Sequence, residues 1–134
     1  MSITLSHSSQ KIKGAIHLTS SKSESNRALI IQALCEDSFE IENLSISDDT
    51  KVLRELLNKI SDEVTDNYQQ TLSVNLAGTA MRFLTAYLAI QDKEVVLTGA
   101  ERMKERPIKV LVDVLKELGA EISYEENEGY PPIK

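Results

Sequence analysis

Three short stretches of this chain combine anion-holding side chains with backbone that can approach a ligand closely. They are SKSESNRA (residues 21–28), AGTAMR (77–82) and ERMKERP (101–107). The first offers Lys22 and Arg27 with the hydroxyls of Ser21, Ser23 and Ser25. The second places Arg82 just inside a segment opened by Gly78 and Thr79, and the third holds Arg102, Lys104 and Arg106. Arg grips phosphate or carboxylate through two parallel N–H donors, whereas Lys acts as a compact point charge. Glycine lets a backbone N–H reach a ligand without a Cβ in the way. All three stretches read as helix entrances, where the macrodipole disfavours cations by about 0.3–1 kcal/mol each. Each cluster alone can be a solvated turn, and Glu101 and Glu105 could pair with the third. Taken together, six cations at three entrances point to a ligand with several negative charges.

The rest of the composition narrows the field. The chain has 134 residues, of which 41% are hydrophobic and 27% charged, the signature of one globular domain. Fifteen basic against 21 acidic residues give a net charge of -6, which argues against a nucleic-acid partner. No apolar run approaches the ~20 residues of a membrane span, and the first residues hold no secretory core. One cysteine, Cys35, excludes an internal disulfide and a cysteine metal cluster. It lies in an all-apolar segment, so a buried structural thiol is expected. His7 and His17 have polar flanks and do not suggest a metal site. The expected compartment is the cytoplasm.

Hydrophobic spacing assigns the elements that must carry these residues. Strands are expected at 3–6, 14–18, 38–44, 71–75, 94–97 and 121–124. Helices are expected at 26–35, 48–60, 78–90 and 107–118, the last opened by Pro107 and closed by Gly119. Residues 61–67 read as a loop. The order hides a repeat: KVLRELLNKI (51–60) matches KVLVDVLKEL (109–118), and RALIIQALC (27–35) matches RFLTAYLAI (82–90). Each RAL-type helix is followed by a strand, FEIENL or EVVLTG. The helices at 26–35 and 81–90 are apolar all round, so both should be interior, while the KVL helices carry one apolar stripe and should cover a surface. The fold class is therefore α/β, built from repeats with one buried and one surface helix each.

Several of these stretches also occur together elsewhere. SKSESNRALIIQAL, AGTAMRFLTAYL, VVLTGAERMKERPI, LVDVLKELGAEI and EGYPPI, in that order, resemble the N-terminal portion of the 5-enolpyruvylshikimate-3-phosphate synthases, over nearly the whole chain. The resemblance implies repeated β-α-β-α-β-β units. About two would be present here, at 21–68 and 69–134, in an incomplete N-terminal substrate-binding domain. Residues 1–20 would be strands belonging with an absent C-terminal domain. It implies transfer of the enolpyruvyl group of phosphoenolpyruvate to the 5-hydroxyl of shikimate 3-phosphate, with no metal or organic cofactor. Lys22 would contact both substrates, Ser23 and Arg27 shikimate 3-phosphate, and Gly78 and Arg106 phosphoenolpyruvate. Thr79, Arg82 and Arg102 would be second-rank neighbours. One departure is Leu76, where many members carry Asn before the AGT motif. The other is length, because the family's proton-transfer residues come from a C-terminal half that nothing here matches. The chain alone is therefore expected to be inactive. A transferase acting on UDP-N-acetylglucosamine fits less well, since Lys22 is followed by Ser23 and not Asn, and no reactive cysteine loop is visible. A stand-alone anion-binding or structural module remains the alternative outside catalysis.

Overall fold

A computed structural model describes residues 2–9, 11, 13–37, 39–62 and 70–134. Its elements run α1 (Lys22–Leu34), α2 (Asp48–Asp62), β1 (Gln70–Ser73), α3 (Gly78–Leu88), β2 (Val95–Thr98), α4 (Glu101–Lys104) and α5 (Lys109–Glu117). Among the described residues no helix is long and apolar enough to cross a membrane.

The second repeat folds in the expected order. β1 and β2 pair in parallel, with Leu72 opposite Leu97, and α3 makes the crossover between them. Burial in β2 has period two, Val95 and Leu97 inward, as a half-covered strand requires. The strand expected at 121–124 is reduced to one antiparallel bridge, Tyr124 to Ile133, and Ile133 also bridges Leu97. The sheet thus continues past β2 into the chain's last residues.

The first repeat keeps its helices and loses its strands. Residues 3–6 and 14–18 form no strand, and Ile3, Leu5, Ile16 and Leu18 are all strongly exposed. The strand expected at 38–44 is absent among the described residues 39–44, and Asn43 turns there with a φ of 57°. A short strand is unstable without a neighbour to bond, and among the described residues none of these segments has a strand partner. The loop expected at 61–67 begins later, since α2 runs on through Asp62, and residues 63–69 lie outside the described ones.

The core joins the helices to the sheet. Leu29 of α1, Leu53, Leu57 and Ile60 of α2, and Met81 and Leu84 of α3 are buried with Leu72, Val74 and Leu97. α3 is interior, as expected. α1 is not buried all round: it buries Ser25, Asn26 and Leu29 and leaves Ile31 and Leu34 half exposed. Cys35, its C-cap, is exposed and not a buried thiol, because it sits at the uncovered end of that face. The two surface helices also differ. Ile60 of α2 is 2% exposed, whereas its repeat partner Leu118, just after α5, is 80% exposed. α2 packs closely against both α1 and α3, while α5 packs more lightly, against α3.

Candidate anion-binding site

α1 begins at Lys22, four residues before the start expected at 26. Ser21 caps it, its Oγ accepting from the Glu24 N–H at 3.3 Å. The spacing Ser21-x-x-Glu24 is a capping-box signature, a sequence signal that fixes the start better than hydrophobic spacing does. Lys22 and Ser23 thus lie in the first turn, with Arg27 one turn on beside Ser23. All three are exposed. Lys22 Nζ donates to Asp49 Oδ1 at 2.9 Å, across to the first turn of α2. Asp49, in the first turn of α2, is thus the counter-ion of Lys22. Below this pair lies a buried polar contact, Thr50 Oγ1 donating to Asn26 Oδ1 at 2.8 Å.

The second group forms at α3. Its N-cap is Ala77, which has no side chain to satisfy the first amides, so those N–H groups stay available at the positive end of the dipole. Arg106 lies across this end. A Cβ built on Gly78 would stand 2.7 Å from Arg106 Cζ and 2.8 Å from its Nη2, so only glycine admits the guanidinium. Arg82 fastens the arrangement: Nη1 donates to the Gly78 carbonyl at 3.3 Å and Nη2 to the Pro107 carbonyl at 3.2 Å. Thr79 is half-buried in the same turn. Gly99, not singled out from the sequence, lets the chain after β2 press on the turn before α3. Its Cβ would stand 2.6 Å from the Asn75 carbonyl, and the Ala100 N–H bonds that carbonyl at 3.0 Å. In that turn Asn75 has a φ of 51°, and Leu76 is 61% exposed beside the site.

The third expected entrance is different. Arg102 and Lys104 do not precede a helix; they lie in α4, toward its C-terminal end, where the dipole favours cations. α5 starts at Lys109 and not at Pro107, with Ile108 as N-cap. Lys104 is engaged elsewhere, 2.9 Å from Glu126 and 3.6 Å from Glu101. The hydrogen bond to Glu126, with charge attraction to both carboxylates, raises its pKa. Glu128 likewise holds Lys109 at 2.8 Å, and that bond lowers the Glu128 carboxyl. Among the described residues Arg27, Arg102 and Arg106 make no ion pair.

The structure thus brings Gly78, Arg82 and Arg106 together, and Lys22 with Asp49; Lys104 is paired away. Exposed guanidinium, free N–H groups and a lysine tethered by one carboxylate can hold anionic oxygens through charge-assisted bonds. Among the described residues no group of three or more His, Cys, Asp or Glu could hold a metal ion.

Comparison with known proteins gives a consistent result. The family model of EPSP synthase (3-phosphoshikimate 1-carboxyvinyltransferase) matches residues 6–134. The chain is 49% identical over 124 residues to a 3-phosphoshikimate 1-carboxyvinyltransferase of Bacteroides fragilis, covering 92% of this chain and 28% of that protein. It is 45% identical over 141 residues to one from Sulfurovum sp., covering 92% of this chain and 33% of the relative. Its fold is similar to that of the EPSP synthase from Acinetobacter baumannii, with a TM-score of 0.77, 20% identity, and coverage of 90% of this chain and 31% of that one. The chain spans about a third of the length of these proteins.

Proposed function

The chain belongs to the EPSP synthase family, and from that membership we propose that it carries part of the substrate site for enolpyruvyl transfer from phosphoenolpyruvate to shikimate 3-phosphate. In that reaction the 5-hydroxyl gives up its proton as its oxygen adds to C2 of phosphoenolpyruvate and C3 gains a proton. Loss of a C3 proton then expels inorganic phosphate. Each substrate carries a phosphate and a carboxylate, so the task of this part is electrostatic: clamp two anions together and steady the charge that develops.

The observation that carries the reading is the seating of Arg106 over Gly78 at an uncapped helix start. In this reading Gly78 and Arg106 receive phosphoenolpyruvate, with Thr79 beside them, and Arg102 stays a second-rank neighbour. Ser23 and Arg27 receive shikimate 3-phosphate. Lys22 reaches both substrates once a ligand oxygen competes with Asp49. Arg82, already bonded to two carbonyls, positions Arg106. The proton-transfer groups and further phosphate contacts come from polypeptide outside this chain, which is also the proposed partner of residues 1–20. The working compartment is the cytoplasm.

The test is calorimetric titration of the 134-residue chain with shikimate 3-phosphate and phosphoenolpyruvate. Arg27→Ala should weaken the first, and Arg106→Ala the second, by about tenfold or more, the worth of a charge-assisted bond. The two substrates together should not turn over. Equal affinity in both variants and the wild type refutes the assignment and favours a structural module.

A further inference from the structure

Asn26 is 0% exposed and Thr50 2%, in an interhelical contact that apolar residues could fill. We propose that this pair positions the anion-binding face of α1, so that Asn26 and Thr50 act on ligand binding through Lys22 and Arg27 without touching the ligand. The proposal rests on the reading of α1 given above.

The hydrogen bonds form a directed chain. Thr50 has one O–H, which goes to Asn26 Oδ1 at 2.8 Å. Its oxygen therefore accepts the contact with Ser47 Oγ at 3.0 Å, and Ser47 is the donor. Ser25 Oγ, next to Asn26, accepts the Ser45 N–H at 2.9 Å. The whole entrance of α2, from Ser45 to Thr50, is thus laced to one turn of α1. Asn26 follows Lys22 by four residues and precedes Arg27 by one, while Thr50 follows Asp49. The Lys22–Asp49 and Asn26–Thr50 contacts are therefore two rungs between the same helices, one exposed and one buried.

A register pin explains what packing does not. The Asn26 Nδ2 group is buried without a partner, a cost that an apolar residue would avoid. The amide does fix position. Sliding α1 by one turn moves Lys22 by about 5.4 Å, and rotating it by one residue swings Asn26 about 100° from Thr50. Either movement takes Lys22 off Asp49 and re-aims Arg27.

The experiment titrates the isotope-labelled 134-residue chain with inorganic phosphate and with shikimate 3-phosphate, following the amide signals of α1 and the thermal midpoint. Thr50→Val should weaken both probes by about tenfold and shift the Lys22 amide signal in the free protein, whereas Thr50→Ser, which keeps the hydroxyl, should stay within about twofold of wild type. Ser47→Ala removes the upstream donor, along with the acceptor of the Thr50 N–H at 3.4 Å, and serves if Thr50→Val does not fold; it should weaken binding about threefold. Leu57→Ala deletes a buried side chain farther along α2 and should lower the midpoint while leaving affinity within about twofold. Unchanged affinity in the folded Thr50 and Ser47 variants overturns the proposal. So does an equal loss in Leu57→Ala at matched stability, which would make the effect merely structural. A wild-type chain that binds neither probe removes the anion-binding reading itself, a result distinct from any variant-specific loss.

Discussion

Gly78 matters for what it lacks. Its bare Cα lets a guanidinium lie where any other residue would put a methyl group. In Gly78→Ala the obstacle meets the far end of a flexible side chain, so Arg106 swings away and the backbone need not move. Helix propensity favours alanine by up to about 1 kcal/mol. The expected outcome is an unchanged or slightly raised thermal midpoint with phosphoenolpyruvate binding weakened several-fold, read by parallel melting and titration. A midpoint that falls with the affinity would mean that the glycine serves the fold. A second residue effect concerns acid. Glu128 is depressed in the folded state, chiefly by its hydrogen bond from Lys109. A depressed carboxylate contributes stability above its unfolded pKa and loses it as pH falls through the folded value. Glu128→Gln should therefore flatten the acid limb of the melting profile and leave the profile above neutrality nearly unchanged. Its exposure and the screening of surface pairs keep the effect small.

Between the elements, Arg82 does the fastening. It ties the first turn of α3 to the segment that leads from α4 to α5. Arg82→Leu should cost about 1 kcal/mol, since these bonds are partly exposed. It should also speed hydrogen exchange at residues 100–108 more than anywhere else, and weaken phosphoenolpyruvate binding without removing Arg106. Uniform exchange across the chain would contradict a local role. Element prediction from spacing worked where packing enforces it: α2, α3, β1 and β2 all lie within two residues of their expected starts. It failed at α4, whose four residues are too few to show a period. It failed again at the start of α1, where Ser21 and Glu24 set the boundary. For residues 39–44 the β-type composition is real, but composition cannot supply the missing neighbour.

Across the whole molecule, the repeat was legible because paired helices keep their apolar spacing. What each unit packs against was not. KVL helices of nearly the same pattern end as a covered helix in α2 and a half-covered one in α5, because burial depends on neighbours that a local window does not contain. The candidate site followed the same division. Gly78 and Arg106 could be named as candidates from residue type, whereas the contacts of Asp49, Asn26 and Gly99 join segments distant in sequence.

The parallel pairing of β1 and β2 also carries information about time. Adjacent parallel strands cannot meet through a tight turn; the chain between them must first travel back. Here that chain contains α3, which packs on α2 and β2. Loop closure costs entropy before the pairing returns any, so α3 should dock before the strands bond. Pulse-labelled hydrogen exchange during refolding should find amides of α3 protected ahead of Leu72 and Leu97. Arg106 depends on the segment leaving β2 to reach Gly78, so the anion site is expected to be among the last parts of the molecule to form.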